Sequence, residues 1–451
     1  MINRRKFLET AMAAAAAAQA RPMFASESGW IQGANDRIRV GIIGCGNRGN
    51  QVATDWMKHK DTVFVAAAEV AKDRLDSTAA RLGQTQGNTL DTYEDYRRIL
   101  ERKDVDAVLI ATPDHWHSPM TIDAISAGKD VYCEEPVSNE IEPAVKMLEA
   151  VRKSNRIVQI GTQQRSWHHF QEAAKLFHEG YIGASVNHCQ MCPPGGGGGG
   201  FGQQQQPQGP QPIPEGFNWE MFQGPAKRKP FVPGRRSWRG WYDYGGGNLT
   251  DWGVHLTDVM NWYMKTDAKA PLLTSASAQY VRLRRDPERV PDTYAVTWQY
   301  ENFVATLSNA MVPGLEEPRD LYGNYFFGDK GVLLVNRIGY EVRPYPPAQG
   351  RGGGRGQNPN PNAPPPPPPA PAIEPKKFKD PSGNMSEVSE SSFGSATHRH
   401  VRNFLDSVKS RQQPVSNIEV GFHATLPTLL AIVSVKEGRT VKWDGKTAKT
   451  T

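Results

Sequence analysis

The sequence predicts an α/β domain with a parallel sheet, followed by an α+β domain with an open, mainly antiparallel sheet. Between residues 37 and 165, short β-branched runs alternate with longer amphipathic segments, a pattern typical of a parallel sheet covered by helices on both faces. From residue 166 to 451, strand-like runs dominate and helices are few, which indicates consecutive antiparallel strands. A chain of 451 residues is long enough for two such domains, each with its own core.

The first domain is predicted to contain five strands and the helices that connect them. The strands are apolar runs at residues 38–44, 62–70, 106–113, 130–136 and 156–162. The helices are periodic segments at residues 47–60, 72–82, 93–102, 118–127 and 140–154.

The second domain is predicted to contain strands over 184–192, 272–285, 292–300, 302–311 and 331–343. Its predicted helices cover residues 168–179, 250–264, 398–410 and 421–438. Two inserts, residues 193–216 and 345–375, consist largely of Gly, Gln and Pro. Because such segments cannot bury an apolar core, we expect them to be disordered surface loops.

The N-terminus predicts export. Residues 1–20 combine the pair Arg4–Arg5, an alanine-rich stretch and an Ala18-Gln19-Ala20 cleavage site, the pattern of a twin-arginine signal peptide. Residues 21–36 then form a linker. We therefore expect a periplasmic or otherwise exported protein that crosses the membrane already folded, through the twin-arginine export machinery.

Composition excludes several other classes of function. The formal net charge is +6, but the basic residues form no long run outside the inserts, so nucleic-acid binding is not predicted. Apart from the alanine-rich start, no apolar stretch approaches the roughly 20 residues of an integral membrane segment. Cys189 and Cys192 lie three apart in a predicted strand, where they face opposite ways. We therefore predict no metal site.

The segment GIIGCGNRG predicts a nucleotide site, because Gly44, Gly46 and Gly49 follow the first strand and open a helix. In the G-x-G-x-x-G fingerprint the glycines permit the turn, the approach of a pyrophosphate and close helix–strand packing. Glu69 lies at the end of the second strand, 20 residues after Gly49. In dinucleotide-binding folds, the acid that binds the ribose 2′-hydroxyl occupies this position. NAD is therefore predicted over NADP, although Arg74 lies close by.

The helix predicted over 250–264 carries a candidate acid–base pair. Asp251 and His255 are four residues apart and share one face of the helix. A carboxylate beside an imidazole orients it and sets its pKa, which suits a general base for a hydroxyl proton. Without further context, a helix-start aspartate and a packed histidine explain the two residues equally well.

Several motifs in one order resemble those of the glucose–fructose oxidoreductase, inositol dehydrogenase and rhizopine-catabolism (Gfo/Idh/MocA) family. They are the glycine turn, TPDHWHSPM, AGKDVYCEEP, GTQQRS, WRGWYDYGGGNLTDWGVHLTD and NFLDSVKSRQQP. The resemblance runs from about residue 37 to residue 447, apart from the two inserts. It implies an NAD(P)-dependent oxidoreductase that transfers hydride from a sugar, polyol or glycoside.

The resemblance also implies roles for single residues. The cofactor would contact Gly44, Gly46, Asn47, Arg48, Gly49, Glu69, Thr112, Pro113, His117 and Glu134. Asp251 and His255 match the acid and the histidine of the family's substrate pocket. Arg165, Trp167, Arg239 and Tyr242 supply donors and aromatic faces that suit a polyhydroxylated ring.

One position departs from the family pattern. Where the family has a lysine between glutamate and proline, this chain has Glu135. A cation there favours a developing alkoxide, whereas a carboxylate opposes it. Three hypotheses follow: Glu135 is a replacement base, His255 is the sole base, or hydride transfer has been lost.

Export constrains the chemistry further, because a periplasm offers little free NAD. A tightly held cofactor that is regenerated in each cycle avoids this difficulty. One alternative is therefore a redox-neutral NAD-dependent glycoside hydrolase or lyase of the same family; another is a non-catalytic nucleotide- or sugar-binding relative. Because open sheets of this type commonly pair face to face, we also expect a homodimer or homotetramer.

Overall fold

The computed structural model describes residues 37–194, 209–281, 285–309, 322–346, 372–380 and 395–451. The predicted signal peptide, the linker and most of both inserts lie outside the described residues. The end of the first insert, residues 209–216, is described, and Gly216 there accepts a backbone hydrogen bond from Lys72 at 2.8 Å. This end of the insert is thus hydrogen-bonded to the first half of the chain. Ile38–Thr451 forms one unit that contains both sheets.

The first sheet has six parallel strands in the order β3-β2-β1-β4-β5-β6. The strands are β1 Ile38–Ile43, β2 Thr62–Ala68, β3 Asp91–Tyr93, β4 Ala107–Ile110, β5 Asp130–Cys133 and β6 Val158–Ile160. Apart from the exposed edge strand β3, nearly every residue of these strands is buried, because helices cover both faces of the sheet. The strand order reverses between β1 and β4, which leaves a crevice at their carboxyl ends.

The helices that accompany this sheet are α1 Asn47–Trp56, α2 Lys72–Gln86, α3 Arg97–Leu100, α4 Asp114–Ser126 and α5 Ile141–Lys153. The helix predicted over 93–102 is reduced to α3, since Asp91–Tyr93 instead pairs with the end of β2 as an edge strand. Helix α6, His168–His178, follows the first sheet, and a single 3-10 turn at Gln163–Ser166 connects it to β6.

The second sheet has ten described strands in the order β14-β13-β12-β11-β7-β10-β9-β8-β15-β16. They are β7 Val186–Cys192, β8 Leu273–Gln279, β9 Thr293–Gln299, β10 Val304–Ser308, β11 Gly323–Gly328, β12 Gly331–Asn336, β13 Gly339–Pro344, β14 Lys376–Lys379, β15 Val441–Trp443 and β16 Ala448–Thr450. Within the described part of the sheet, only β7 and β10 run parallel. The prediction of an open, mainly antiparallel sheet is confirmed.

Two helices cover one face of the second sheet. Helix α8, Asn248–Met264, packs against α10, Ile418–Glu437, and α10 also packs on β8. Helix α10 is long and apolar enough to cross a membrane, but most of it is buried inside the protein, as in a core helix. Helix α7, Trp219–Gln223, and 3-10 turns at Pro233–Arg236 and Trp238–Gly240 lie between β7 and α8.

Helix α9, Ala396–Ser410, belongs to the predicted second domain but packs on the first sheet. Its Phe404 meets Trp56 of α1 edge-on at 5.5 Å and Tyr132 of β5 at 5.9 Å between ring centroids. All three rings are fully buried. The chain thus returns after the second sheet to complete the core of the first.

Replacing Phe404 with alanine should therefore destabilise the parallel sheet. Removing a buried phenylalanine typically costs about 3–5 kcal/mol, which urea denaturation would measure. Phe404→Leu, which keeps most of the apolar volume, serves as the control and should cost less than about 1.5 kcal/mol. A loss below about 1 kcal/mol for Phe404→Ala would contradict this packing.

Candidate active site

A cleft of about 480 Å³ lies at the carboxyl ends of β1, β2, β4 and β5, and helix α8 forms its opposite wall. Nine of the ten predicted cofactor residues line it, namely Gly44, Gly46, Asn47, Arg48, Glu69, Thr112, Pro113, His117 and Glu134. The three predicted catalytic residues, Glu135, Asp251 and His255, line it as well. The fold thus brings residues from distant parts of the chain into one cleft.

The glycine turn has the geometry that a dinucleotide requires. Gly44 has a φ of +94°, and a Cβ there would lie 2.6 Å from the carbonyl oxygen of Ala111. A Cβ on Gly49 would collide with the Gly44 carbonyl at 2.1 Å, so Gly49 serves helix–strand packing behind the cleft. A Cβ on Gly46, by contrast, would meet no atom closer than Arg74 Nη1, at 3.8 Å. The space above Gly46 therefore fits a pyrophosphate at the start of α1, where backbone N–H groups point outward.

Glu69 occupies the position expected of the ribose acid, at the end of β2. Its carboxylate accepts hydrogen bonds from the backbone N–H of Cys45 at 2.9 Å and of Ala71 at 3.1 Å. These bonds fix the carboxylate beside the glycine turn. The arrangement fits the ribose of NAD, because the Glu69 carboxylate would repel the 2′-phosphate group of NADP.

The two neighbouring acids after β5 have different partners. Glu134 forms an ion pair with Arg48 Nε at 3.0 Å and accepts a hydrogen bond from Gln163 Nε2 at 3.0 Å. A Cβ on Gly161 would lie only 2.8 Å from the Glu134 carboxylate, so a glycine is needed for this approach. Glu134 thus connects β5 to the turn that carries Arg48, and it serves the cofactor side of the cleft.

Glu135 contacts the substrate-side helix instead. Its Oε1 lies 3.1 Å from His255 Nε2, and both side chains are more than nine-tenths buried. Its Oε2 is buried and has no hydrogen-bond partner among the described residues. The carboxylate that orients His255 is therefore Glu135, and the prediction that Asp251 does so needs correction.

Asp251 pairs with an arginine from the segment before α8. Its Oδ1 accepts a hydrogen bond from Arg239 Nε at 3.0 Å, and the Arg239 guanidinium stacks on the Trp238 ring at 4.4 Å. Asp251 and Arg239 stay about one-third exposed. Both side chains thus retain access to a ligand in the cleft.

Asp114 is a cleft residue that the sequence analysis missed. It begins α4, lines the cleft and is buried. Burial raises the pKa of Asp114 well above its usual range, and the carboxylates of Glu135 and Asp251 raise it further, while Arg239 opposes them. The available signal was its place directly after Thr112-Pro113, at the carboxyl end of a parallel strand.

Thr112, Pro113 and His117 form the wall between the glycine turn and Glu135. Thr112 Oγ1 is buried without a hydrogen-bond partner among the described residues, so a bound cofactor can use it. The two ring nitrogens of His117 lie 2.7 Å from the Pro136 carbonyl oxygen and 2.9 Å from that of Thr112. His117 therefore holds the two loops together.

Three of the four predicted substrate residues do not line the cleft. Arg165 is buried in ion pairs with Asp258 at 2.7 Å and Asp267 at 2.5 Å. Trp167 packs in the core beside Phe170. Tyr242 does not line the cleft either.

Local sequence could not show which way these side chains point. Among the four predicted substrate residues, Arg239 does line the cleft. In the described part of the chain, no group of three or more His, Cys, Asp or Glu residues could hold a metal ion.

Comparison with known proteins agrees with this site. Residues 38–162 match the model of an oxidoreductase family with an NAD-binding Rossmann fold, and residues 201–310 match the model of that family's C-terminal alpha/beta domain. The two matched segments together cover a little over half of the 451 residues. The chain belongs to the Gfo/Idh/MocA oxidoreductase family. The prediction of NAD as the cofactor agrees with the NAD-binding fold of this Gfo/Idh/MocA family.

Relatives of this Gfo/Idh/MocA chain include inositol 2-dehydrogenase 4 of Saccharopolyspora erythraea, 31% identical over 36% of this chain and 48% of the relative. A glycosyl hydrolase family 109 protein from the same organism is 27% identical over 33% of this chain and 34% of the relative. The matched region thus spans half or less of the length of these relatives.

Solved structures show the same fold. Levoglucosan dehydrogenase in complex with NADH and levoglucosan is 18% identical and superimposes with a TM-score of 0.62. The alignment covers 90% of this chain and 99% of that protein. At this identity the match establishes the architecture of both halves.

The buried Asp114 should make stability depend on pH. Its raised pKa means that the folded state holds a proton that the unfolded state releases, so stability should fall as pH rises above about 4. The free energy of unfolding should fall by up to about 1.4 kcal/mol for each pH unit, and this dependence should end above the folded-state pKa of Asp114.

Asp114→Asn cannot ionise, so its stability relative to the wild type should rise with pH in denaturation curves at pH 5–8. Asp76→Asn controls for the loss of an exposed carboxyl group. Parallel pH profiles for Asp114→Asn and the wild type would contradict the account.

Proposed function

We propose that this protein is an NAD-dependent oxidoreductase that oxidises a secondary alcohol of a sugar or polyol, with Glu135 as the proton acceptor. The observation that carries the proposal is the Glu135–His255 contact of 3.1 Å, in the same cleft as the glycine turn. Oε2 of Glu135, which has no hydrogen-bond partner among the described residues, is the atom that receives the hydroxyl proton.

The roles of the two side chains follow from their contacts. NAD bound in the cleft supplies the acceptor for the hydride of the carbinol carbon. Glu135 takes the proton from the hydroxyl oxygen, and His255 holds the carboxylate in place through Nε2. Both side chains are nearly excluded from water, so a hydrogen bond between them is stronger than it would be at the surface.

Glu135 can replace the family lysine because the reaction needs a route for the hydroxyl proton, and a carboxylate supplies one. The positive charge of a lysine stabilises the negatively charged alkoxide, whereas Glu135 accepts the proton as the alkoxide forms. Of the three hypotheses drawn from the sequence, the contact with His255 favours the replacement base. The imidazole then acts through Glu135 and positions it.

The substrate wall supports a polyhydroxylated substrate. Trp238 and Trp252 line the cleft, and the Arg239–Asp251 pair offers donors and acceptors there. Such a combination suits a ring with apolar C–H faces and several hydroxyl groups. The names of the relatives, inositol 2-dehydrogenase and levoglucosan dehydrogenase, agree with this substrate class.

A redox-neutral reaction on a glycoside is a second candidate function. It would oxidise a hydroxyl group transiently, remove a proton from the carbon next to the new carbonyl group, eliminate the glycosidic group from the carbon beyond, add water to the double bond and return the hydride. Such a sequence needs a base and a protonated acid in one cleft. Glu135 supplies the base, and Asp114, whose pKa is raised by burial, supplies the acid. The similarity to a glycosyl hydrolase family 109 protein favours this candidate.

We further propose export by the twin-arginine pathway with the cofactor already bound, and assembly into a homodimer or homotetramer. Arg4, Arg5 and the Ala18-Gln19-Ala20 site support the export. Export of a folded holoprotein would supply NAD to a compartment that contains little of it. Tight retention of the cofactor is therefore part of the proposal.

Glu135→Gln and Glu134→Gln should separate catalysis from cofactor binding. Glu135→Gln removes the base, so kcat should fall by roughly 10²-fold or more, while NADH affinity stays nearly unchanged. Glu134→Gln weakens the bond to Arg48, so NADH affinity should fall by roughly tenfold.

Fluorescence titration with NADH measures the affinity. Turnover is measured on whichever sugar or polyol the wild type oxidises, in a screen that begins with myo-inositol and levoglucosan. Full turnover by Glu135→Gln would rule out Glu135 as the base.

The purified, signal-processed protein should carry its own cofactor. When it is denatured without added nicotinamide, mass spectrometry of the supernatant should find near-stoichiometric NAD or NADH. Finding no nucleotide, together with no binding of added NAD, would support a non-catalytic binding protein instead.

A further inference from the structure

The segment Gly216–Tyr244, which we call the clasp, leaves the second half of the fold and pairs with the residues that directly follow β2. It lies between β7 and α8 in the chain. Phe217 forms an antiparallel bridge with Ala71. Asn218 donates its N–H to the Val70 carbonyl at 2.9 Å. These contacts begin one residue after Glu69, the predicted ribose acid.

The clasp is also anchored across the cleft, at the start of α4. The Phe222 carbonyl accepts a hydrogen bond from Trp116 Nε1 at 3.0 Å and lies 3.0 Å from His115 Nε2. A Cβ on Gly224 would lie 2.0 Å from the Trp116 ring, so the ring packs flush against the clasp backbone. The clasp therefore bridges two edges of the cleft, one at β2 and one at α4.

An aromatic core holds the clasp in shape between these anchors. Phe217, Trp219, Phe222, Phe231 and Tyr244 form one buried cluster with Ala71. Trp219 and Phe222 stack at 5.2 Å between ring centroids. The clasp is thus a packed element with its own apolar core.

Three of the clasp residues that line the cleft are suited to a nucleotide. Met221, Phe222 and Arg236 line the same cleft as Glu69 and Arg74. The first two offer apolar surface for a flat ring, and the guanidinium of Arg236, stacked at 4.9 Å on Phe217, offers a donor for a phosphate or a hydroxyl. This is the chemistry of the adenosine half of a dinucleotide.

We propose that the clasp forms the outer wall of the adenosine site and retains the cofactor through many turnovers. The proposal rests on the function proposed above and assigns cofactor contacts to a segment outside the glycine-turn domain. Because this wall is anchored at both the end of β2 and α4, it should slow the departure of the dinucleotide, and loosening either anchor should speed it. Retention then follows from the clasp, in addition to the glycine turn.

Lys72→Pro and Lys72→Ala form a matched pair that tests this retention. Lys72 is the first residue of α2, where proline is tolerated, and Ala71 before it is extended, as a residue preceding proline prefers. Both variants remove the Lys72–Asp76 ion pair. Only proline removes the N–H that reaches Gly216, so only Lys72→Pro loosens the clasp.

The measurement is the dissociation rate of NADH from the full-length holoprotein, followed by fluorescence during a chase with excess NAD. Lys72→Pro should release NADH roughly fivefold faster than Lys72→Ala, the change expected for one lost hydrogen bond. Equal rates for the two variants would overturn the proposal.

Phe217→Ala and Phe303→Ala provide a second, independent comparison. Both rings are buried to a similar extent, but Phe217 belongs to the clasp and Phe303 packs on Tyr300 in the second half of the fold. Phe217→Ala should release NADH at least roughly tenfold faster than Phe303→Ala, because the loss of a buried ring costs several kcal/mol. Equal release by the two variants would contradict a retaining wall.

The wild type separates failure of this inference from failure of the proposed function. If wild-type protein does not bind NAD or NADH at all, the proposed function fails. If it binds NADH but releases it as fast as Lys72→Pro does, NAD-dependent chemistry stands and the clasp proposal is wrong.

Discussion

The site depends on two neighbouring carboxylates whose side chains reach different sides of the cleft. Directly after β5, Glu134 contacts Arg48 and Gln163 on the cofactor side, and Glu135 contacts His255 on the substrate side. One backbone segment thus connects the glycine turn with the catalytic helix.

Features set by local sequence could be predicted. The alternation of β1, β2, β4, β5 and β6 with helices, the turn at Gly44 and the place of Glu69 follow from periodicity and from glycine geometry, and the structure agrees with them. Helix α8 was predicted almost to its ends because its apolar residues recur at helical spacing. Motifs at the carboxyl ends of parallel strands line one cleft, since those ends share one edge of a sheet.

Features set by tertiary packing could not be predicted. Asp251 and His255 share a helix face, yet their partners, Arg239 and Glu135, come from other segments. Arg165 was predicted to bind substrate because its side chain is a strong hydrogen-bond donor, but it is buried in an ion pair with Asp258. The run 331–343 contains a turn at Arg337–Ile338 that divides it into two strands, and the return of α9 to the first sheet had no local signal.

The most direct test of this account is a crystal structure of the complex with NADH. The account predicts the pyrophosphate at the Gly44–Gly49 turn, the adenosine beneath the clasp, and the nicotinamide in the part of the cleft that Glu135 and His255 share. A nicotinamide bound away from Glu135, or a Glu135 carboxylate turned out of the cleft in that complex, would contradict the division of labour between the two neighbouring acids.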